Sequence, residues 1–191
     1  MNLNFIIIDD FLEDPDTVRK SAIQRDFYRS GPWPGFRSTY TDPDYNDDMK
    51  KKFEKIINSK IIHWQHHKDD MPFDTGCFQL CLENTKTWIH GDSCEYTGIL
   101  FLTPDAPCES GTAIYRHKPT GVFEKNKNNA VENDTDEKSW EIISYAGNVY
   151  NRLLILRGCQ YHSSLMPGFG QDKYNGRLTQ TFFFNTEKYF V

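Results

Sequence analysis

Apolar residues change their spacing partway along the chain, and the change divides it into two regions. Near the start, Phe5-Ile6-Ile7-Ile8 followed by Asp9-Asp10 reads as a short buried strand with a polar stop. Asp14-Pro15-Asp16 then supplies an N-cap, a proline at the first helical position and an acid in the first turn. Val18, Ala22, Ile23 and Phe27 follow at helical spacing, which predicts a helix over Pro15–Tyr28. A second helix is predicted over Tyr45–Ser59, with Met49, Phe53, Ile56 and Ile57 as its apolar stripe and Lys50-Lys51-Lys52 on its solvated face. Between them, Gly31 to Arg37 holds two prolines and two glycines and is predicted to be a loop. Its Trp33, Phe36 and Arg37 either close over a pocket or fill the edge of the core.

From Cys77 onward the helical period disappears. Short apolar and aromatic runs alternate with turn signals: Phe78 to Leu82, Tyr96 to Leu102, Thr112 to Tyr115, Trp140 to Ser144, Leu153 to Leu156, Tyr161 to Leu165 and Leu178 to Phe184. Seven such runs predict a mainly β barrel or sandwich with the two helices packed outside it. The polar stretch Glu124 to Lys138 reads as a loop, either a lid or a surface excursion. At 191 residues the whole fits one domain, with residues 1–75 carrying the first strand, loop and helices and residues 76–191 the β core.

Composition narrows the function. The balance of 22 basic and 27 acidic residues gives no support for a nucleic-acid binder. No basic start followed by an apolar run predicts a secretory signal, and no apolar stretch approaches the about 20 residues needed to cross a bilayer. A soluble, cytoplasmic protein without membrane contact is expected. Five cysteines, an odd number without a secretory context, predict buried free thiols rather than a disulfide framework. A zinc site would lack a C-x-x-C pair to anchor it. In the run Ile61 to His67, His63 and His67 have no carboxylate at useful strand spacing, and surface or strand-edge histidines are expected.

Candidate chemistry centres on His90-Gly91-Asp92. Residues i and i+2 of a strand share a face, so His90 and Asp92 can offer one nitrogen and one oxygen to the same ion. His162 lies in a second strand-like segment and completes two histidines and a carboxylate, the facial set of non-haem Fe(II) oxygenases. Read as strand, turn and strand, the segment after His162 brings Arg177 back beside it, with Thr179 and Thr181 on the arginine's face. A buried guanidinium needs an anionic partner and matches a carboxylate bidentately, which suits the far end of a small dicarboxylate.

These residues resemble the Fe(II)- and 2-oxoglutarate-dependent oxygenases, in particular a little-characterised part of the prolyl 4-hydroxylase-like branch. The matching pieces are His90-Gly91-Asp92, His162 and Arg177-Leu178-Thr179. Ile8-Asp9-Asp10-Phe11-Leu12, Pro34-Gly35-Phe36-Arg37, Gly111 to Lys118, Tyr150-Asn151-Arg152 and the run RLTQTFFF add to them. Two departures stand out: an arginine replaces the usual prolyl-hydroxylase lysine, and Ser110-Gly111-Thr112 replaces a full Gly-Gly-x-Thr. The resemblance implies a double-stranded β-helix of the jelly-roll or cupin-like kind. It implies iron on His90, Asp92 and His162, and 2-oxoglutarate held by Arg177 with Thr179 and Thr112. The implied reaction consumes 2-oxoglutarate and dioxygen, releases succinate and carbon dioxide, and hydroxylates a protein side chain or small metabolite. Trp33, Arg37, Arg116, His117 and Arg152 are candidates for orienting that substrate, with pairing inside the fold as the alternative for Arg116 and Arg152. A cupin-like metal or ligand-binding module without turnover is the other functional class.

Overall fold

The computed structural model describes residues 5–29, 31, 33–38, 42–64, 75–126, 131 and 136–187. His66 and His67, and much of the Glu124 to Lys138 stretch, lie outside the described residues. Among the described residues eleven strands are formed: β1 (Phe5–Ile8), β2 (Phe27–Tyr28), β3 (Phe36–Ser38), β4 (Ile61–Trp64), β5 (Phe78–Cys81), β6 (Tyr96–Phe101), β7 (Thr112–His117), β8 (Trp140–Ala146), β9 (Leu153–Arg157), β10 (His162–Ser164) and β11 (Arg177–Thr186). Two α-helices, α1 (Pro15–Ile23) and α2 (Pro43–Ile57), accompany them. All strand pairs are antiparallel. The larger sheet runs β1-β9-β6-β11-β5-β3-β2, with β4 also on β11, and the smaller runs β10-β7-β8. The architecture is mainly β, with large antiparallel sheets, as the alternating runs predict. None of the helices among the described residues is long and apolar enough to cross a membrane.

Both helices start at the same device. The Asp14 carboxylate accepts from the Thr17 backbone N–H and hydroxyl at 3.0 and 2.7 Å, with Pro15 in the first turn. Asp42 accepts from the backbone N–H groups of Asp44 and Tyr45, with Pro43 behind it. The second helix therefore begins two residues before the expected Tyr45 and ends at Ile57, where Asn58 turns left-handed (φ 48°). The first is shorter than predicted. It stops at Ile23 because Phe27 and Tyr28 pair with Ser38 and Arg37, so strand hydrogen bonds replace the last helical turn. Phe36 and Arg37 are thus strand residues rather than loop.

Strand β11 sits at the centre of the larger sheet. Its first half pairs with β5, its end with β4 on the same side, and its length from Thr179 to Phe184 with β6 on the other. One face of this sheet carries Leu178, Phe182, Phe184, Leu100, Leu153 and Ile155, and α2 presses Met49, Phe53 and Ile57 onto it. Phe53 is fully buried, with Trp64, Phe182 and Phe184 ring centroids at 5.5, 4.9 and 5.4 Å. Gln180 also points into this layer. Its amide is satisfied by the Tyr45 hydroxyl (2.8 Å) and the Gly76 carbonyl (2.8 Å). On the opposite face Ile99, Phe101, Leu154 and Leu156 pack with Ala146 of the smaller sheet.

Because Phe53 joins helix to sheet through three aromatic rings, Phe53→Ala is expected to cost about 3–5 kcal/mol, the range for buried Phe truncation. Denaturant unfolding followed by circular dichroism checks this. A loss below 1 kcal/mol would mean that α2 is not anchored through this ring.

Candidate metal centre and cosubstrate pocket

His90 and His162 are brought together by their backbones. Each donates its N–H to the other's carbonyl, at 3.1 Å from His90 and 2.8 Å from His162, in an isolated antiparallel bridge. The strand expected through His90 and Asp92 is no longer than this bridge. Asp92 continues on a loop, tied down by its N–H to the Gly158 carbonyl at 2.7 Å. Gly91 between them has no room for a side chain, since an added Cβ would lie 2.9 Å from the Cys159 carbonyl oxygen.

The imidazole orientations follow from backbone acceptors. His90 Nδ1 lies 3.0 Å from the Trp88 carbonyl, and His162 Nδ1 lies 2.7 Å from the Gln160 carbonyl. A carbonyl only accepts, so each Nδ1 carries a proton and each Nε2 is turned toward Asp92, free to donate to the carboxylate when the ring is charged or to ligate a metal when it is neutral. Both Nε2 atoms face Asp92: His90 Nε2 is 3.5 Å from Oδ1 and His162 Nε2 is 3.5 Å from Oδ2. One ligand atom from each residue lies within 4.8 Å of the other two. Ligands at about 2.1 Å on adjacent octahedral positions stand about 3 Å apart, so small rotamer changes close the set on one ion. The set is two nitrogens and one oxygen on one side, with a cavity on the other.

Charges respond accordingly. Burial would raise the Asp92 carboxyl, but both histidines and the Thr97 hydroxyl overcome it and hold Asp92 far below the usual carboxylate range. At His162 burial is outweighed by the Asp92 charge and hydrogen bond, and its pKa is raised. His90 is lowered by its enclosure and by neighbouring His162. Thr97, on β6, donates to Asp92 Oδ2 at 2.5 Å and thereby fixes the carboxylate. No motif in the sequence marks this threonine; only the register of β6 places it there.

The cavity facing these ligands has a volume of about 280 Å³. Arg177, Thr179, Thr181 and Phe183 line it from β11, as the alternation predicts, and Thr112, Trp33 and Arg37 line it as well. Arg177 does not reach the site as expected, however. It is paired with Cys81 of β5 in the larger sheet, whereas His162 pairs with Ile114 in the smaller one. Segment 165–176 is held at the end of β5 by Glu83 N–H to Gly170 (2.8 Å) and Gly168 N–H to Thr85 (3.1 Å). It carries the chain from one sheet to the other, so Arg177 and His162 share the cavity from opposite sheets.

Arg177 is 6% exposed. Its Nε donates to the Ser110 carbonyl at 2.9 Å, and the guanidinium stands 5.7 Å from the Phe101 ring. Among the described residues no carboxylate pairs with it, and burial depresses its pKa. The buried hydroxyl of Thr112 has no hydrogen-bond partner among them. Of the two readings open for Arg116 and Arg152, substrate contact or pairing inside the fold, the structure shows the pairing. Arg116 lies outside the cavity and donates to Glu141 at 2.7 Å; Arg152 lies outside it and pairs with Asp9 at 2.5 Å. Each is held by a carboxylate within the fold. His117 is also elsewhere, packed against Trp140 and bonded to Thr120. The five cysteines are free, and burial pushes the Cys94 thiol up to about 12 and Cys77 up to about 11, so these two are held as neutral thiols at neutral pH.

Solved structures share this architecture. HygX from Streptomyces hygroscopicus, determined with nickel, 2-oxoglutarate and hygromycin B, superposes with a TM-score of 0.60 at 10% identity, covering 96% of this chain and 83% of that one. A prolyl hydroxylase from Trichoplax adhaerens, in complex with a hypoxia inducible factor oxygen degradation domain peptide, gives 0.54 at 12% identity over 96% and 84%. A Pseudomonas putida prolyl-4-hydroxylase gives 0.53 at 11% identity over 97% and 94%. The structural likeness is therefore to Fe(II)- and 2-oxoglutarate-dependent oxygenases, prolyl 4-hydroxylases among them, and at these identities it establishes the fold. None of the curated proteins matches the chain. By sequence, residues 2–138 match a family described as of unknown function, DUF6445, and the chain belongs to that family.

Proposed function

We propose that this protein is an Fe(II)- and 2-oxoglutarate-dependent dioxygenase that hydroxylates a C–H bond of a small molecule or a protein side chain. The carrying observation is that one cavity holds both the His90, Asp92 and His162 donor set and a buried arginine with no carboxylate partner among the described residues. In this reading the two sheets are the two walls of a double-stranded β-helix formed as one domain. His90, Asp92 and His162 hold the ferrous ion, whose chemistry is the coupling of dioxygen reduction to oxidative decarboxylation of 2-oxoglutarate.

The chain's own residues account for the rest. The backbone carbonyls on each Nδ1 fix the tautomer and aim each Nε2 at the metal position, and the Thr97 hydroxyl keeps Asp92 ionised and fixed. Arg177 binds the distal carboxylate of 2-oxoglutarate with Thr179 beside it, and Thr112 supplies a hydroxyl to the same dianion. Ile99 lines the pocket and Phe101 packs on the Arg177 guanidinium, an apolar setting that strengthens a guanidinium–carboxylate pair. Nickel and 2-oxoglutarate bound to HygX support this assignment.

Anaerobic protein is expected to take up one equivalent of ferrous ion, and Asp92→Ala or His162→Ala to lose it. Metal analysis after desalting measures this, and full occupancy in both variants would sink the ligand assignment. Arg177→Ala is expected to weaken 2-oxoglutarate binding by about 2–5 kcal/mol while metal content stays near wild type, because a carboxylate loses its buried partner. Arg177→Lys should weaken it less, retaining the charge but not the fork. Titration of metal-loaded protein with 2-oxoglutarate decides; unchanged affinity in Arg177→Ala would place the cosubstrate elsewhere and favour a binding module without turnover.

A further inference from the structure

Ile8 to Leu12 and Tyr150 to Arg152 do not line the cavity, yet they are fastened to each other and to its Arg177 end. Tyr150, Asn151 and Arg152 belong to the loop that joins β8 to β9. The Tyr150 hydroxyl donates to Asp16 at 2.6 Å. The Asn151 side chain accepts from the Leu12 N–H and donates to the Leu12 carbonyl, both at 2.9 Å. The Arg152 guanidinium takes both oxygens of Asp9, at 2.5 and 2.9 Å. The outer side of the loop is therefore tied to the start of the chain at three points.

Its inner side holds both groups that meet Arg177. Phe101, whose ring stands against the guanidinium, donates its N–H to the Arg152 carbonyl at 3.0 Å and accepts from the Asn151 N–H at 2.9 Å. The other group is Ser110, whose carbonyl accepts from Arg177 Nε at 2.9 Å. Ser110 is fully buried at the end of a single 3-10 turn, Cys108–Ser110. Asn148 holds that turn twice: its backbone N–H donates to the Cys108 carbonyl at 2.9 Å, and its side-chain amide donates to the Ser110 hydroxyl at 3.0 Å. The Ser110 hydroxyl gives its own proton to the Pro107 carbonyl at 2.6 Å, so toward Asn148 it only accepts. Two glycines allow the close approach, since an added Cβ at Gly111 would collide with the Ala146 carbonyl and one at Gly147 with Cys108 Sγ.

Asn148 is 2% exposed, and its Oδ1 has no hydrogen-bond partner among the described residues. A buried amide with one half unpaired is unfavourable, so stability alone does not account for an asparagine here. What it contributes is a donor to Ser110. Among the described residues Arg177 has no carboxylate to orient it, and its guanidinium takes its direction from the Ser110 carbonyl and the Phe101 ring. With Nε committed to Ser110, the terminal nitrogens are left for a ligand. Moving the Ser110 carbonyl moves the fork, and the place of the fork along the cavity decides which length of dicarboxylate reaches it.

Resting on the oxygenase reading above, we propose that Asn148 is a positioning residue for the cosubstrate. Through Ser110 it sets where the Arg177 fork stands, and so makes the pocket selective for the length and the distal charge of 2-oxoglutarate.

The test is calorimetric titration of nickel-loaded protein, in which turnover is blocked, with three ligands. These are 2-oxoglutarate, 2-oxoadipate, which is longer by a methylene, and 2-oxopentanoate, which has the same carbon chain without the distal carboxylate. Wild type is expected to bind 2-oxoglutarate about tenfold or more tighter than either of the others. Asn148→Ala should weaken 2-oxoglutarate about fivefold or more and narrow its preference over 2-oxoadipate to about threefold or less. It should leave 2-oxopentanoate within about twofold of wild type and nickel content unchanged. Ser110→Ala should do the same, and the double variant should add nothing to either single one, because both break the same link. Phe53→Ala, destabilised on the helix side of the sheet, should keep the wild-type ratios. If Asn148→Ala does not fold, Ser110→Ala decides through the same ratios. Ratios unchanged in the folded variants, equal weakening of all three ligands, additive effects in the double variant, or the same narrowing in Phe53→Ala would overturn the proposal. So would a wild type that does not distinguish 2-oxoglutarate from 2-oxoadipate. A wild type that binds 2-oxopentanoate as tightly as 2-oxoglutarate would instead remove Arg177 as the anchor. Failure to take up nickel or 2-oxoglutarate would bring down the oxygenase reading itself, and in both cases this inference falls with it.

Discussion

Strand β11 has to satisfy two incompatible environments, and its two-residue period is what makes that possible. Leu178, Phe182 and Phe184 enter the aromatic layer under α2, while Arg177, Thr179, Thr181 and Phe183 face the cavity. A slip of one residue would place a guanidinium and two hydroxyls against Phe53 and three large apolar side chains against the metal ligands. The cost would be several kcal/mol for the buried charge alone. The register is fixed on both flanks, by β5 and β4 on one side and β6 on the other, and the buried Gln180 amide closes on Tyr45 and Gly76 only in this register. The helix-side core thus stabilises the strand whose other face carries the site.

The opposite wall is organised differently. His90 and Asp92 belong to no strand of any length, so their positions depend on a few backbone hydrogen bonds rather than on a ladder. The mutual His90 and His162 pair, the Asp92 bond to Gly158 and the absence of a side chain at Gly91 fix three ligands with very little buried apolar surface. Thr97 links this wall to the larger sheet, since its hydroxyl holds Asp92 while its backbone pairs with Phe183 and Leu156. A rigid sheet therefore supports a site in which His162 starts a short strand while His90 and Asp92 are held by single backbone bonds.

Much of this was legible in the chain. The seven apolar runs after Cys77 all became strands, because alternation on a half-buried strand is a strong local signal. The Asp-Pro pair at residues 14–15 marked a helix start, and the identical pair at 42–43 marked the other, although the apolar stripe alone drew the start to Tyr45. Three things were not legible locally. The end of α1 depended on Phe27 and Tyr28 finding β3, a contact across nine residues and a turn. The relation of His162 to Arg177 depended on segment 165–176 crossing between sheets, where a hairpin was the simpler local reading. Arg116 and Arg152 offered no sign of their carboxylate partners, Glu141 and Asp9, because Asp9 is 143 residues from Arg152 in the chain.

The arginines illustrate how function and stability divide the same side chain type. Arg152 and Arg116 each have a carboxylate at hydrogen-bond distance near the surface, and a pair of that kind contributes little beyond local order. Arg177 is more deeply buried, yet among the described residues it has only a backbone carbonyl and an aromatic ring. A chain selected for stability alone would fill this position with an apolar residue of similar volume, because burying an unpaired guanidinium is unfavourable. In the proposed function the 2-oxoglutarate dianion supplies the charge that balances this guanidinium. Under the proposed function, ligand binding and folding are then linked through one side chain: occupancy of the pocket stabilises the native state by mass action, most strongly where the protein alone is least satisfied.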